Sequence, residues 1–416
     1  MPVGSRICCH TTVAEINQKK PGQYDFKMDI SVEIEGGDKP ALVAEWLSVQ
    51  MVNQFSLVCN LHFNAPVKST INPTHRPLRS KKIRDLAMKI IKITVAIVLV
   101  AGIFLYKGEL PQEEVDAKYT SETSQFFTME NGARIHFRDE GNQAGPAVVL
   151  VHGSNASLHT WEPWVKILGE NYRIITMDLP AHGLTGAVPD NKYGAQAQLR
   201  TVDAVVRHLG LDKFTLGGNS MGGGVTWRYT LAHPEKVESM LLIDSSGLPQ
   251  FRQQLEAQAN QLDQDKKEAP VFFSLMRKPW FRAIARYTDP YWLTKQGVSS
   301  AYNHSPVVTE ELIQRYYELA LRSGSRDATL SRFSNYNSTE DAVDSTKFNV
   351  PALIMWGRDD SLISVDVAML FDAALAHSTL VIYDTVGHMP MEEIPNRSAE
   401  DVSTFLFEVY GANLPF

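Results

Sequence analysis

A hydroxyl, an imidazole and a carboxylate that meet at one edge of a sheet can open a carbonyl compound by nucleophilic attack. The chain offers these groups at Ser220, His388 and Asp360, each just after a short apolar run. Ser220 is the centre of Gly218-Asn219-Ser220-Met221-Gly222. That stretch follows the strand-like Phe214-Thr215-Leu216-Gly217 and opens the helix-like run 223–232. A strand that passes into a helix through so tight a turn strains its central residue and lifts the side chain above the sheet. Glycines at 218 and 222 leave room for the close approach. Asp360 follows Ala352-Leu353-Ile354-Met355-Trp356, and Asp359 beside it is a second candidate. His388 lies in Val386-Gly387-His388-Met389-Pro390, after Leu380-Val381-Ile382-Tyr383. The C-terminal strand ends of a parallel sheet share one edge, so three distant residues can converge there.

Attack on a carbonyl creates an oxyanion, which needs donors aimed in advance. The Met221 N–H, directly after the serine, supplies one; the second is expected from the loop after Ala147–Val151. His152, His182 and Asp178 read as residues that brace loops, Asp178 holding the turn Pro180-Ala181-His182-Gly183.

From about Thr123 to its end the chain resembles the α/β-hydrolase fold family. The resemblance rests on the serine turn, His152-Gly153-Ser154-Asn155, Asp178-Leu179-Pro180-Ala181-His182-Gly183, Trp356-Gly357-Arg358-Asp359-Asp360 and Glu392-Glu393-Ile394-Pro395. It implies the chain order nucleophile, acid, base. It places the acid three positions after Gly357, at Asp360, and the second oxyanion donor at Ser154. It also implies a helical cap over the site.

The elements agree with that reading. A hairpin pattern, Gln125–Met129 and Ala133–Arg138, turns at Asn131-Gly132. Strand-like runs at Ala147–Val151, Arg173–Met177, Phe214–Leu216 and Ser239–Ile243 alternate with helix-like stretches at Trp161–Leu168 and Ala195–Leu209. Such alternation predicts an α/β fold: a mostly parallel central sheet with helices on both faces. The core is expected over 123–247 and 348–416, with a helical cap over 248–347 and a closing helix at Ala399–Tyr410. Aromatic residues concentrate in the cap. Among them Trp280 and Phe281 are candidate substrate contacts together with Asn155, suited to acyl or aryl groups. Arg277, Lys278, Arg282 and Arg286 interleave with them, either as a solvated face or as one resting on an anionic membrane.

Before the core, residues 1–80 carry no readable function. Lys27–Glu35 alternates like a strand and Pro40–Val52 looks helical. A basic cluster from Arg76 to Lys92 then leads into an apolar run, and residues 88–106 are expected to form one transmembrane helix. A buried soluble helix or a signal peptide are the rivals, and no small-residue cleavage site follows Tyr106. Positive charge before the span and Glu109, Glu113, Glu114 and Asp116 after it predict an N-terminus inside. The catalytic region would then face the periplasm or exterior, behind a polar linker at 107–122.

A net charge of −7 with no long basic stripe argues against nucleic acid as a partner. The three cysteines, Cys8, Cys9 and Cys59, precede the span, so the core is neither a thiol enzyme nor disulfide-stapled. No cysteine–histidine cluster has zinc spacing, and neither metal nor cofactor is expected. The expected activity is hydrolysis of small-molecule carboxylic esters by a membrane-anchored serine hydrolase of the lipase and esterase type. Two alternatives stay open. One is hydrolysis of a carbon–carbon bond in ring-fission diketones, although Met389 stands where those enzymes usually carry Trp. The other is a membrane-tethered binding module that keeps the fold without turnover. The sequence leaves the oligomeric state undetermined.

Overall fold

The computed structural model describes residues 7–20, 23–34, 42–51, 88, 105–261, 275–276, 278–334 and 341–411. Its contacts divide the chain into two units, Met1–Lys82 and Ile83–Phe416. In the first, β1 (Ile7–Lys20), β2 (Gln23–Ile34) and β3 (Leu42–Met51) form an antiparallel sheet in the order β1-β2-β3. The strand expected at Lys27–Glu35 lies in β2. The helix expected at Pro40–Val52 is instead β3, paired with β2 through Phe26↔Ser48 and Asp29↔Glu45. Leu42–Met51 is too short and too evenly apolar to separate the two periods, and the ladder offered by β2 decides the outcome. Of the transmembrane helix expected at 88–106, residues 89–104 lie outside the described residues. Among the described residues no helix is long and apolar enough to cross a membrane.

The second unit begins with α1 (Gln112–Tyr119), followed by the hairpin β4 (Ser124–Thr128) and β5 (Arg134–Gly141). Then come β6 (Ala147–Val151), α2 (Glu162–Leu168), β7 (Arg173–Met177), α3 (Ala195–His208) and β8 (Phe214–Asn219). After these follow α4 (Met221–Ala232) and β9 (Val237–Ile243). These strands, with β10 (Ala352–Gly357) and β11 (Ser378–Tyr383), make an eight-stranded sheet in the order β11-β10-β9-β8-β6-β7-β5-β4. Only the pairs β4–β5 and β5–β7 are antiparallel. The mostly parallel sheet predicted from alternation is therefore present.

Both faces of the sheet are covered, and the strand period distributes the side chains between two cores. Val149 and Val151 of β6 enter one apolar cluster with Met177, Leu216 and Ile354. Their neighbours Val148 and Leu150 enter the other with Ile174, Leu241 and Met355. On the first face α3 buries Ala197, Thr201, Val202, Val205 and Val206, the stripe of an amphipathic helix.

Between β9 and β10 the described residues hold helices and no strand: α5 (Pro249–Gln261), α6 (Pro279–Ala285), α7 (Tyr291–Ala301), α8 (Glu310–Leu321) and α9 (Ser325–Ser334). After β10 come α10 (Asp366–Ala374), α11 (Pro390–Glu393) and α12 (Pro395–Tyr410), the last being the expected closing helix with an earlier start. Residues 107–122, expected as a linker, are not a free tether. Their helix α1 lies against the helices that follow β9, with Asp116 Oδ1 accepting from Arg322 Nε at 2.7 Å and Lys118 pairing with Glu318 at 2.7 Å. Val115 is buried with Leu184 and Leu319. Of the acids read from the sequence as charges outside a membrane, Asp116 is here the partner of Arg322, and Glu109 accepts from the Ser323 hydroxyl and the Gly324 N–H.

Candidate active site

β8 ends at Asn219 and α4 begins at Met221, so Ser220 alone makes the turn between them. Its φ of 55° and ψ of −116° lie where a residue with a side chain is strained. The flanking glycines make that turn sterically feasible. A Cβ on Gly218 would lie 2.2 Å from the Gly222 carbonyl carbon, and one on Gly222 would lie 2.0 Å from the Val151 oxygen. The Ser220 carbonyl accepts from the Ser246 N–H at 2.9 Å, and its own N–H donates to Ile243 at 3.0 Å. The residue is thus pinned by its backbone while its hydroxyl has no partner among the described residues.

Asp360 and His388 meet at the same sheet edge. His388 Nδ1–H donates to Asp360 Oδ2 at 2.7 Å, and both side chains are buried. The other carboxylate oxygen accepts from the Leu362 and Ile363 N–H groups at 2.7 and 3.1 Å. Those bonds fix the acid, and the acid fixes the tautomer that leaves Nε2 as a base. Asp359, the neighbouring candidate, is exposed and meets only Asn303 at 3.4 Å. The histidine loop is itself braced. Glu393 accepts from the Gly387 and Met389 N–H groups at 3.0 Å each, and Asn219 Nδ2 donates to the His388 carbonyl at 3.0 Å. The last bond ties the serine's strand to the base. The Ser220 hydroxyl makes no hydrogen bond to the imidazole in this structure.

The loop after β6 lies on the other side of the serine. A Cβ on Gly153 would come 3.2 Å from Ser220 Cβ. Among the described residues neither the Ser154 N–H nor the Met221 N–H bonds to a protein group. These are the two donors expected for an oxyanion. Ser154 Oγ is buried without a partner, and Asn155 is exposed with φ 62°.

His152, His182 and Asp178 hold the loops, as their spacing predicts. Asp178 accepts from the Leu158 and Leu184 N–H groups and from His136 Nδ1 at 2.7–2.8 Å. Burial alone would raise its pKa, but the His136 hydrogen bond and the nearby imidazoles hold it well below the carboxylate range. His152 accepts from the Leu179 N–H at Nε2 and donates from Nδ1 to the Gly153 carbonyl. Burial pushes both His152 and His182 below the ordinary imidazole value, with the Arg332 charge adding to the shift.

Two residues at the site escape sequence reasoning. Asp244, directly after β9, is fully buried with φ 42°, and its Oδ1 accepts from the Gly357 N–H at 2.9 Å. Ligand atoms of Asp244, Asp360 and His388 lie within 4.8 Å of one another. Burial first, and then the Asp360 charge, raises the Asp244 pKa well above the usual range. Its position at a strand's C-terminal end was the available signal. Arg332 of α9 donates to Asn155 Oδ1 at 2.9 Å and reaches Met221 Sδ at 3.4 Å. No sequence cue connects it to those residues.

The candidate substrate contacts in the cap fare differently. Trp280 is 59% exposed on α6 and packs edge-on against half-buried Phe281. Among the described residues no hydrogen bond or ring contact joins either to Ser220, Ser154 or His388. Of the four basic residues nearby, Arg286 pairs with Asp327 at 2.8 Å, Arg282 donates to the Met276 carbonyl, and Arg277 lies outside the described residues.

Known proteins resemble this chain in sequence and fold. The sequence pattern of the alpha/beta hydrolase fold matches residues 146–395. Lipase 1 of Psychrobacter immobilis is 23% identical over 285 residues, 67% of this chain and 82% of that protein. The 2-hydroxy-6-oxononadienedioate/2-hydroxy-6-oxononatrienedioate hydrolase of Klebsiella pneumoniae is 25% identical over 293 residues, 68% of this chain and 96% of that protein. The crystal structure of a membrane phospholipase A aligns with a TM-score of 0.53 at 21% identity, over 79% of this chain and 99% of that one. The family pattern spans more than half of the chain and contains all three residues of the strand-end edge, so the protein belongs to the alpha/beta hydrolase fold family.

Proposed function

We propose that this hydrolase cleaves carboxylic esters through Ser220, His388 and Asp360. The observation that carries the reading is the strained backbone of Ser220 at the strand-to-helix turn, φ 55°, on the edge where Asp360 holds His388. Ser220 Oγ attacks the carbonyl carbon while its proton passes to His388 Nε2. The Asp360 carboxylate steadies the imidazolium through Nδ1–H. The Met221 and Ser154 N–H groups receive the oxyanion. The bond to the leaving oxygen then breaks, and His388 returns the proton to the departing alcohol. Water repeats the sequence on the acyl-enzyme, releasing the acid and restoring the serine hydroxyl. Asn155 belongs to the substrate contacts in this scheme, and Trp280 and Phe281 form part of the cap face over which an acyl chain enters.

Similarity to a lipase and to a membrane phospholipase A supports ester substrates and a membrane setting. In this reading residues 88–106 anchor the protein as a single span, with the catalytic unit on the periplasmic or external side. Hydrolysis of a carbon–carbon bond beside a carbonyl is the second reading, favoured by the 25% identity to the dienedioate hydrolase. A fluorophosphonate probe is expected to label Ser220. Ser220→Ala is expected to abolish hydrolysis of p-nitrophenyl acetate and butyrate while the protein stays folded. Undiminished turnover in that variant would overturn the mechanism. Ring-fission diketones assayed beside the esters separate the two reactions, and extraction with alkaline carbonate tests the anchor.

A further inference from the structure

Arg138 meets Glu162 at 2.9 Å, Arg322 meets Asp116 at 2.7 Å, and Arg315 lies 3.6 Å from both Glu162 and Glu392. Arg326 and Arg332 form no ion pair among the described residues. Buried Arg326 donates to the Lys107 and Arg286 carbonyls, inside the cap. Half-buried Arg332 lies instead at the loops beside Ser220. Its guanidinium touches a neutral amide oxygen, Asn155 Oδ1 at 2.9 Å, and a thioether, Met221 Sδ at 3.4 Å. Its Nε is sealed from solvent with no acceptor. No carboxylate pairs with it among the described residues. A thioether is a weak acceptor, and a desolvated cation without a counter-charge is costly. Burial lowers its pKa to about 10, and no acid among the described residues opposes the shift.

The place of that cation gives it meaning. Met221 is itself one of the two oxyanion donors and Asn155 directly follows the other, Ser154, so Arg332 touches side chains at both donor loops. The two buried histidines nearby are held neutral, and Arg332 contributes to that in both. Further buried polar atoms without partners, Ser154 Oγ and Asn219 Oδ1, belong to the same loops. Among the described residues the protein thus supplies a positive group at the loops that flank Ser220 and no anion to match it.

We infer that Arg332 binds an anionic group of the substrate, a carboxylate or phosphate-type oxyanion carried a short distance from the carbonyl that Ser220 attacks. The guanidinium presents paired N–H donors, the geometry that such oxyanions accept. This inference rests on the serine-hydrolase reading for the identity of the reacting carbonyl. It narrows the substrate class from apolar esters to acidic ones. In this arrangement Arg332 is a specificity-determining residue that fixes the anionic end while the oxyanion donors hold the other.

The test uses the full chain and three methyl esters with the same acyl length: methyl pentanoate, monomethyl glutarate and the phosphonate-terminated analogue. The readout is kcat/KM for each anionic ester divided by that for methyl pentanoate. Arg332→Gln is expected to lower that ratio roughly 10- to 100-fold, mostly through KM, for whichever oxyanion the site takes. Arg332→Lys is expected to restore part of it, because the charge remains and the fork is lost. An unchanged ratio, with all three esters losing turnover alike, would make Arg332 a clamp between cap and core and overturn the inference. Failure of the hydrolase reading looks different: none of the esters turns over and the fluorophosphonate leaves Ser220 unlabelled. Glutarate binding by calorimetry then decides the anion site alone, with weaker binding by Arg332→Gln supporting it and equal affinity sinking it.

Discussion

The strand-end edge of the core and the cap above it are held by different means. At the edge, backbone groups do the positioning. Asp360 is gripped by two N–H groups, Glu393 by two more, and the Ser220 turn by bonds to Ile243 and Ser246. On the cap side, side-chain ion pairs add to backbone bonds such as that from the Leu110 N–H to the Leu321 carbonyl at 2.8 Å. Asp116 and Lys118 of α1 pair with Arg322 and Glu318 of α8 and its C-terminal end, and Glu109 accepts from Ser323 and the Gly324 N–H. Backbone anchoring fixes positions to a fraction of an ångström, which nucleophilic chemistry needs. Side-chain ion pairs tolerate movement, as a cap that admits substrate requires.

The sharpest way to break the edge is to disable its acid. Asp360→Asn is expected to lower kcat by about 10⁴-fold, because the amide no longer holds the reactive imidazole tautomer. Asp359→Asn is the control, and it should leave ester turnover within about twofold, as an exposed position would. Equal losses in the two variants would remove the distinction between the adjacent acids. A steric break comes next. Gly222→Ala puts a methyl group 2.0 Å from the Val151 carbonyl oxygen, against backbone that cannot yield cheaply. A loss of about 4 kcal/mol in urea unfolding is expected, with activity falling in parallel.

The cap should fail more gently. Asp116→Ala leaves Arg322, almost fully buried, without its carboxylate. Since Asp116 is partly exposed, a local cost of about 2 kcal/mol is expected. Hydrogen exchange in α8 should then accelerate while β8 keeps its protection. Equal acceleration in both would show that cap and core open as one unit, contrary to the comparison.

The same contrast explains what could be read from the sequence. Part of the edge is written in short motifs: Gly218 and Gly222 make room for the Ser220 turn, and the Leu362 and Ile363 N–H groups hold Asp360, although the Ser220 backbone bonds run to Ile243 and Ser246. Asp360 was separable from Asp359 only through the resemblance, which places the acid three positions after Gly357; the Leu362 and Ile363 N–H groups that hold it appear in the structure. The strands β6 and β7 were legible because continuous apolar runs mark strands buried on both faces. The cap side was not. Asp116 and Arg322 are 206 positions apart, so nothing local announces their pairing, and 107–122 read as a linker. Arg332 meets Met221 and Asn155 only because of how α9 packs. Trp280 shows another limit: its aromatic type suggests a pocket, but its 59% exposure on α6 depends on how the cap packs.

Asp244 sharpens the comparison from inside the edge, where the smallest effect is expected. Its folded pKa is raised, by burial and then by the Asp360 charge, so it keeps a proton that the unfolded chain releases above about pH 4. The folded state therefore binds more protons than the unfolded state, and this group's contribution falls as pH rises. The slope is about 1.4 kcal/mol per pH unit until the folded pKa is reached. Asp244→Asn removes that dependence while its amide oxygen can still accept from the Gly357 N–H. The stability of the variant relative to the parent should accordingly increase between about pH 5 and about pH 8. A difference that stays flat, or shrinks, would mean that Asp244 is ionised in the fold. Two adjacent carboxylates would then share the histidine, and the backbone bonds that single out Asp360 would no longer explain which acid steadies the ring.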